Sequence, residues 1–277
     1  MKTPDEAVAR INYQMAPPGI GSSVETRNAS CPTSSVHTSQ RDIVVLDGGF
    51  ATQLSCHVQQ PIDGDVLWSA RFLATDHEAV IDTHLDFLRA GADLIMTNTY
   101  QASVDLFMKH LNMTEQQSYD LIKQAVDLAR TAVKRYEEEF PGTRRPLIAG
   151  SVGPYGASLH DGSEYTGSYA KTTSLQTMMD WHLPRIKALV EGGVDLLAIE
   201  TIPCKIEAEM LVNLLKEQFP NTKAWLSFSV AQDGKSTAIG ENFQEVAKYL
   251  YDLNPDQLVA VGVNCTAPRL IESFISA

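Results

Sequence analysis

One thiol, Cys265, follows the apolar run Leu258-Val259-Ala260-Val261, and polar groups close four other apolar runs in the chain. Asp47 and Gly48 follow Ile43 to Leu46, while Asn98, Thr99 and Tyr100 follow Asp93 to Thr97. Ser151 ends Leu147 to Val152 with Tyr155 shortly after it, and Glu200 with Thr201 follows Val194 to Ile199. Read as parallel strands, these runs bring their carboxyl ends to one face, where α/β proteins place their active sites. Two carboxylates, Asp47 and Glu200, would then stand near one thiol, an arrangement suited to the ammonium group of a small zwitterion. Each group also has a plainer reading. Asp47 would cap the turn before Gly48, Glu200 would pair with a nearby cation, and Cys265 would be a small buried hydrophobe.

Other chemistry is weakly marked. A zinc site needs three or four ligands, yet Cys31, Cys56, Cys204 and Cys265 are scattered, with no CxxC spacing among them. Cys204 follows the run ending at Ile199 by a few residues, which leaves its direction open. His77 and His84 lack the HExxH arrangement and read as surface or packing residues. Asp233-Gly234-Lys235-Ser236 resembles the end of a phosphate loop, but Ser229 stands where the opening glycine belongs.

The elements that must position these groups alternate regularly. Helical periodicity appears over Glu78 to Arg89, Thr114 to Phe140, Ser174 to Glu191, Ile206 to Phe219 and Phe243 to Leu253, each between two apolar runs. Further strands are expected over Trp225 to Val230 and Leu258 to Val263, where Gly262 would let another group approach. Pro268 to Ala277 begins one more helix. The long segment Ala157 to Thr173, rich in Gly, Ser and Tyr, reads as a functional loop. Because Asp47-Gly48-Gly49 lacks the glycine spacing of a dinucleotide fold, a TIM-type (β/α)8 barrel is expected, with about six of its eight β/α units present in residues 42–277. Residues 1–41, rich in Ser, Thr, Pro and Asn, read as a disordered extension. An open barrel edge after the sixth strand would invite self-association.

Composition narrows the class. With 22 basic and 34 acidic residues in 277, the formal charge is 22 − 34 = −12, which argues against nucleic-acid or anionic-membrane partners. No apolar run reaches the roughly 18 residues needed to span a bilayer. Cytoplasmic location and reduced thiols are the corresponding expectations.

Ordered motifs then carry a resemblance. Leu46-Asp47-Gly48-Gly49, Leu67-Trp68-Ser69-Ala70, and Ala90-Gly91-Ala92-Asp93 running into Thr99-Tyr100-Gln101-Ala102-Ser103 are similar to the homocysteine S-methyltransferase family. Gly150-Ser151-Val152-Gly153-Pro154-Tyr155-Gly156-Ala157, with Asp161-Gly162-Ser163-Glu164-Tyr165 and Gly167, resembles the branch using S-methylmethionine or S-adenosylmethionine. Glu200-Thr201-Ile202-Pro203 and Gly262-Val263-Asn264-Cys265 complete the likeness. The resemblance implies a zinc-dependent (β/α)8 barrel that moves a methyl group from a sulfonium donor to the thiol of homocysteine, or to selenocysteine. It gives Cys265 the role of a zinc ligand, and Asp47 and Glu200 the substrate's amino group. Gly48, Thr99, Tyr100, Ser151, Tyr155 and Asn264 complete the expected substrate-binding set. The family's adjacent Cys-Cys pair after two glycines has no counterpart in this sequence. The expected zinc site is therefore incomplete, with a non-catalytic truncated isoform as the alternative.

Overall fold

The computed structural model describes residues 43–275, so the extension expected over residues 1–41 lies outside the described residues. Two short helices, α1 (Phe50–Leu54) and α2 (Phe72–Thr75), lead into α3 (His77–Arg89), whose first turn is capped by the Asp76 carboxylate accepting from Ala79 N at 3.0 Å. Strand β1 (Leu94–Met96) is followed by α4 (Val104–Leu111) and α5 (Glu115–Glu139). Thr114 opens α5 with a capping box, its hydroxyl accepting from Gln117 N while Thr114 N donates to the Gln117 side chain. The chain continues through β2 (Leu147–Val152), α6 (Leu175–Gly192), β3 (Leu196–Ile202), α7 (Lys205–Gln218), β4 (Ala224–Phe228), α8 (Phe243–Leu253), β5 (Leu258–Val263) and α9 (Pro268–Ile275). Gly193 ends α6 at φ 82°, where a left-handed residue closes the helix.

The five strands form one parallel sheet in the order β1-β2-β3-β4-β5, each strand pairing with its neighbour in sequence. Side chains alternate between its two faces. Ile95, Ile148, Leu197, Ile199, Leu226 and Val261 join the large cluster under the helices. Leu94, Met96, Ala149, Ala198, Trp225 and Ala260 form a second cluster on the opposite face. A sheet apolar on both faces explains why the sequence runs lack alternation.

Two expectations change. Ile43 to Leu46 contributes a single parallel bridge, Leu46 to Leu94, rather than a strand of the ladder. The Val45 N–H is taken by the Asp93 carboxylate at 2.9 Å, so a side chain replaces the strand partner, and Ile43, Val44 and Val45 stay exposed. The sheet therefore has five strands and this edge bridge, where six strands were expected. At Gly262 a Cβ would meet nothing within 4 Å, so no described group makes the close approach expected of that glycine.

The segment Ala157 to Thr173 is built from short 3-10 turns at Tyr155–Leu159, Ser163–Tyr165 and Ser168–Lys171. Gly167 pins it, since a Cβ there would lie 2.2 Å from Ile239 and 3.3 Å from Pro203. Among the described residues no helix is long and apolar enough to cross a membrane.

Candidate active site at the carboxyl ends of the strands

A cavity of about 250 Å³ opens at the carboxyl ends of the strands, lined among others by Asp47, Gly48, Trp68, Tyr100, Ser151, Tyr165, Glu200 and Cys265. Asp47 is buried, and its Oδ2 accepts from Met96 N at 2.8 Å. It thus reaches across to β1. Its Oδ1 is buried without a partner. Glu200, also buried, accepts from Ser151 Oγ at 2.5 Å and lies 3.4 Å from Asn264 Nδ2. Among the described residues no lysine, arginine or histidine lines the cavity.

Burial dominates the proton affinities. Desolvation raises the Asp47 carboxyl well above its ordinary value, against the Met96 hydrogen bond and with help from the Glu200 charge. Desolvation lifts Glu200 to about 7, opposed by the Ser151 hydrogen bond and the Arg185 charge. The Cys265 thiol is pushed up to about 11, by desolvation first and then by Glu200. An incoming ammonium group would reverse the penalty on both acids by supplying the missing positive charge.

The backbone is bent to make this arrangement. The β3–β4 register shifts between Ile199 and Ile202, and Thr201 sits at φ 61°, an outlier for a β-branched residue. Asn264 holds it there, its Oδ1 accepting from Thr201 N at 2.9 Å and its Nδ2 donating to Thr201 Oγ1 at 2.7 Å. The same Nδ2 lies 3.6 Å from Cys265 Sγ, and Thr201 Oγ1 lies 3.7 Å from that sulfur. Cys265 at φ 50° and Trp68 at φ 46° are likewise left-handed residues at the cavity. Such conformations gather at functional sites because the surroundings must hold them.

Of the residues singled out in the sequence, Asp47, Gly48, Tyr100, Ser151, Glu200 and Cys265 come together on the cavity wall. Thr99 is buried behind it, bonded to Thr97 Oγ1 and the Ser151 carbonyl. Asn264 works from the side as the clamp just described. Tyr155 lies elsewhere, in an outer groove with Asp105, Asp180 and Trp181.

The zinc ligand set is not assembled by the described residues. Among them no group of three or more His, Cys, Asp or Glu side chains is placed to hold a metal ion. Cys204 is buried at the start of α7, and Cys56 is exposed; neither lines the cavity beside Cys265. One thiol does not fit the implied metal.

A model of the family described as homocysteine S-methyltransferase matches residues 44–277. The chain belongs to the homocysteine S-methyltransferase family. It is 46% identical over 245 residues to a betaine-homocysteine S-methyltransferase of Drosophila melanogaster, covering 86% of this chain and 74% of that protein. Homocysteine S-methyltransferase 1 of Brassica oleracea var. italica is 42% identical over 237 residues, with 83% and 71% covered. The metallated form of the homocysteine methyltransferase MmuM from Escherichia coli superposes with a TM-score of 0.78 at 40% identity, over 85% of this chain and 78% of that one.

Several groups in this family member escaped the residue-by-residue reading. Trp68 and Tyr165 complete an aromatic wall with Tyr100, although each lies in a stretch marked only as a family motif or a loop. The loop carrying Trp68 is tied to the end of β1 by Asn98 Nδ2 donating to the Ser69 carbonyl at 2.7 Å and Gln101 Nε2 donating to the Val66 carbonyl at 2.9 Å. Arg185 and Glu207, both fully buried, were also missed. For Arg185 a signal was available in the helical period, since Met178, Trp181, Arg185 and Leu189 share the buried face of α6.

Proposed function

We propose that this chain binds homocysteine, with selenocysteine as an alternative acceptor, and moves to its sulfur a methyl group from S-methylmethionine or S-adenosylmethionine. The observation that supports the reading most is the pair of buried carboxylates, Asp47 and Glu200, in a cavity that holds the Cys265 thiol and is lined by no cation among the described residues. The substrate ammonium would sit between these acids, and Tyr100, Trp68 and Tyr165 would face the positive sulfonium through their ring faces. A sulfur–methyl bond then forms on the acceptor thiolate while the donor's sulfur–methyl bond breaks. The electron pair stays on the donor sulfur, which becomes neutral, and the acceptor's thiol proton leaves to solvent. The five-stranded sheet is read as part of a closed (β/α)8 barrel, and the free thiols suit a reducing cytoplasm.

The zinc that the resemblance implies would lower the pKa of a bound thiol, but the described residues supply only Cys265 toward it. That single thiol favours a second reading, a chain that binds the amino acid without transferring methyl. The two separate cleanly. The full chain is incubated with homocysteine and methyl-labelled S-methylmethionine, with and without added zinc, and labelled methionine is measured. Label in methionine above the protein-free control supports the transferase; homocysteine binding by calorimetry with no labelled methionine supports the second reading.

A further inference from the structure

Behind the cavity, Arg185 of α6 is completely buried, a placement rare for an arginine without a carboxylate partner. Its Nη1 donates to the Gly153 carbonyl at 3.0 Å, and its Nη2 to the carbonyls of Thr99 at 2.8 Å and Tyr100 at 2.7 Å. All three acceptors are main-chain groups of the loops that follow β1 and β2. The guanidinium lies over the Trp181 ring, 4.3 Å from its centroid. Glu207 of α7, equally buried, adds the nearby negative charge while accepting from Tyr155 N at 2.7 Å, from the Tyr169 hydroxyl, and from His182 Nε2 at 2.8 Å. Desolvation lowers the proton affinity of His182, so the ring is neutral and acts as donor to Glu207.

Packing alone would not call for this chemistry, because apolar residues of similar volume commonly serve a core as well as buried ions do. What only a planar fork supplies is simultaneous hydrogen bonding to several fixed carbonyls. The two loops also interlock, with Gly153 N donating to the Tyr100 carbonyl at 3.2 Å. A Cβ at Gly153 would lie 2.6 Å from the Tyr100 ring. Tyr100 lines the cavity from this loop, together with Thr97 and Asn98.

We propose that Arg185, backed by Glu207, is a positioning residue for the site: it grips the loops after β1 and β2 so that the Tyr100 ring stands in the cavity wall. The part of the proposal that concerns ligand affinity rests on the reading of the cavity as an amino-acid and sulfonium site; the part that concerns Tyr100 does not.

The test uses the full chain labelled with carbon-13 in its tyrosine rings, the Tyr100 resonance being assigned through Tyr100→Phe. In Arg185→Met the far-ultraviolet circular dichroism stays that of the parent, the Tyr100 resonance shifts or broadens, and the resonance of Tyr119 on α5 stays in place. Millimolar guanidinium restores the Tyr100 signal, and the dissociation constant for S-methylmethionine weakens by about tenfold or more. Should Arg185→Met not fold, Arg185→Lys, which keeps the charge without the fork, decides by the same resonance. A folded variant of either kind with an unmoved Tyr100 signal overturns the proposal. If the parent chain binds no S-methylmethionine, the functional reading fails, while the Tyr100 resonance still decides the positioning role.

Discussion

Replacing Glu200 by Gln should move stability and ligand affinity in opposite directions. In the ligand-free chain Glu200 is buried, hydrogen-bonded to Ser151 and raised to about 7 from an ordinary 4.5. At about 1.4 kcal/mol for each tenfold change in proton affinity, ionising it in the folded chain costs about 3 kcal/mol more than in the unfolded one. The sign follows from the direction of the shift. A carboxyl whose folded value is raised contributes its stability below the unfolded value and loses it as pH climbs through the folded one. The window therefore runs from about 4.5 to about 7. Glu200→Gln keeps an acceptor for Ser151 and cannot ionise, so its urea-unfolding free energy should match the parent at pH 4 and exceed it by up to about 3 kcal/mol at pH 8. Homocysteine affinity at pH 8 should nevertheless fall, by about 2 kcal/mol or more, since one partner of a buried charge pair is gone. A stability difference that does not change between pH 4 and pH 8 would refute the reasoning, as would a variant less stable than its parent at pH 8.

Three further outcomes are expected. Asn264→Ala leaves Thr201 N and Thr201 Oγ1 without the partners they have at 2.9 and 2.7 Å, and should cost about 1–3 kcal/mol in urea unfolding. Gly153→Ala drives a Cβ to 2.6 Å from both the ring and the carbonyl oxygen of Tyr100; with backbone on one side it should destabilise by about 1–3 kcal/mol in the same assay. In iodoacetamide labelling followed by peptide mass spectrometry, Cys265, exposed like Cys56 but with its thiol pushed up to about 11, should lag Cys56 at pH 8 and catch up as pH rises toward that value, while buried Cys204 stays unlabelled until the chain unfolds.

The elements that carry periodicity were legible. Leu147–Val152, Leu258–Val263 and Phe243–Leu253 have the bounds their apolar patterns set, and Thr114 opens its helix through the capping box that Gln117 announces. Short pieces were not: α4 is eight residues long, and its amphipathic face is masked by the loop residues on either side. The edge segment Ile43 to Leu46 looked like any other apolar run, because nothing local tells that Asp93 will take its Val45 N–H. At the site, Asp47, Glu200 and Cys265 could be named because each closes an apolar run, where a strand end is a position in sequence as well as in space. Tyr155 follows its strand just as closely, yet it opens a 3-10 turn after Pro154 and lines the outer groove. Arg185 shares the buried helix face of Met178, Trp181 and Leu189, but that it and Glu207, twenty-two residues apart on different helices, are buried near one another depends on tertiary packing that no local pattern encodes.

Calorimetric titration of the full chain with homocysteine, and with 4-mercaptobutyrate, which lacks only the amino group, tests the central claim most directly. Two buried carboxylates waiting for an ammonium ion predict measurable homocysteine binding that the des-amino compound loses, by about 2 kcal/mol or more for an unpaired buried charge. Equal affinity for the two compounds would contradict the account.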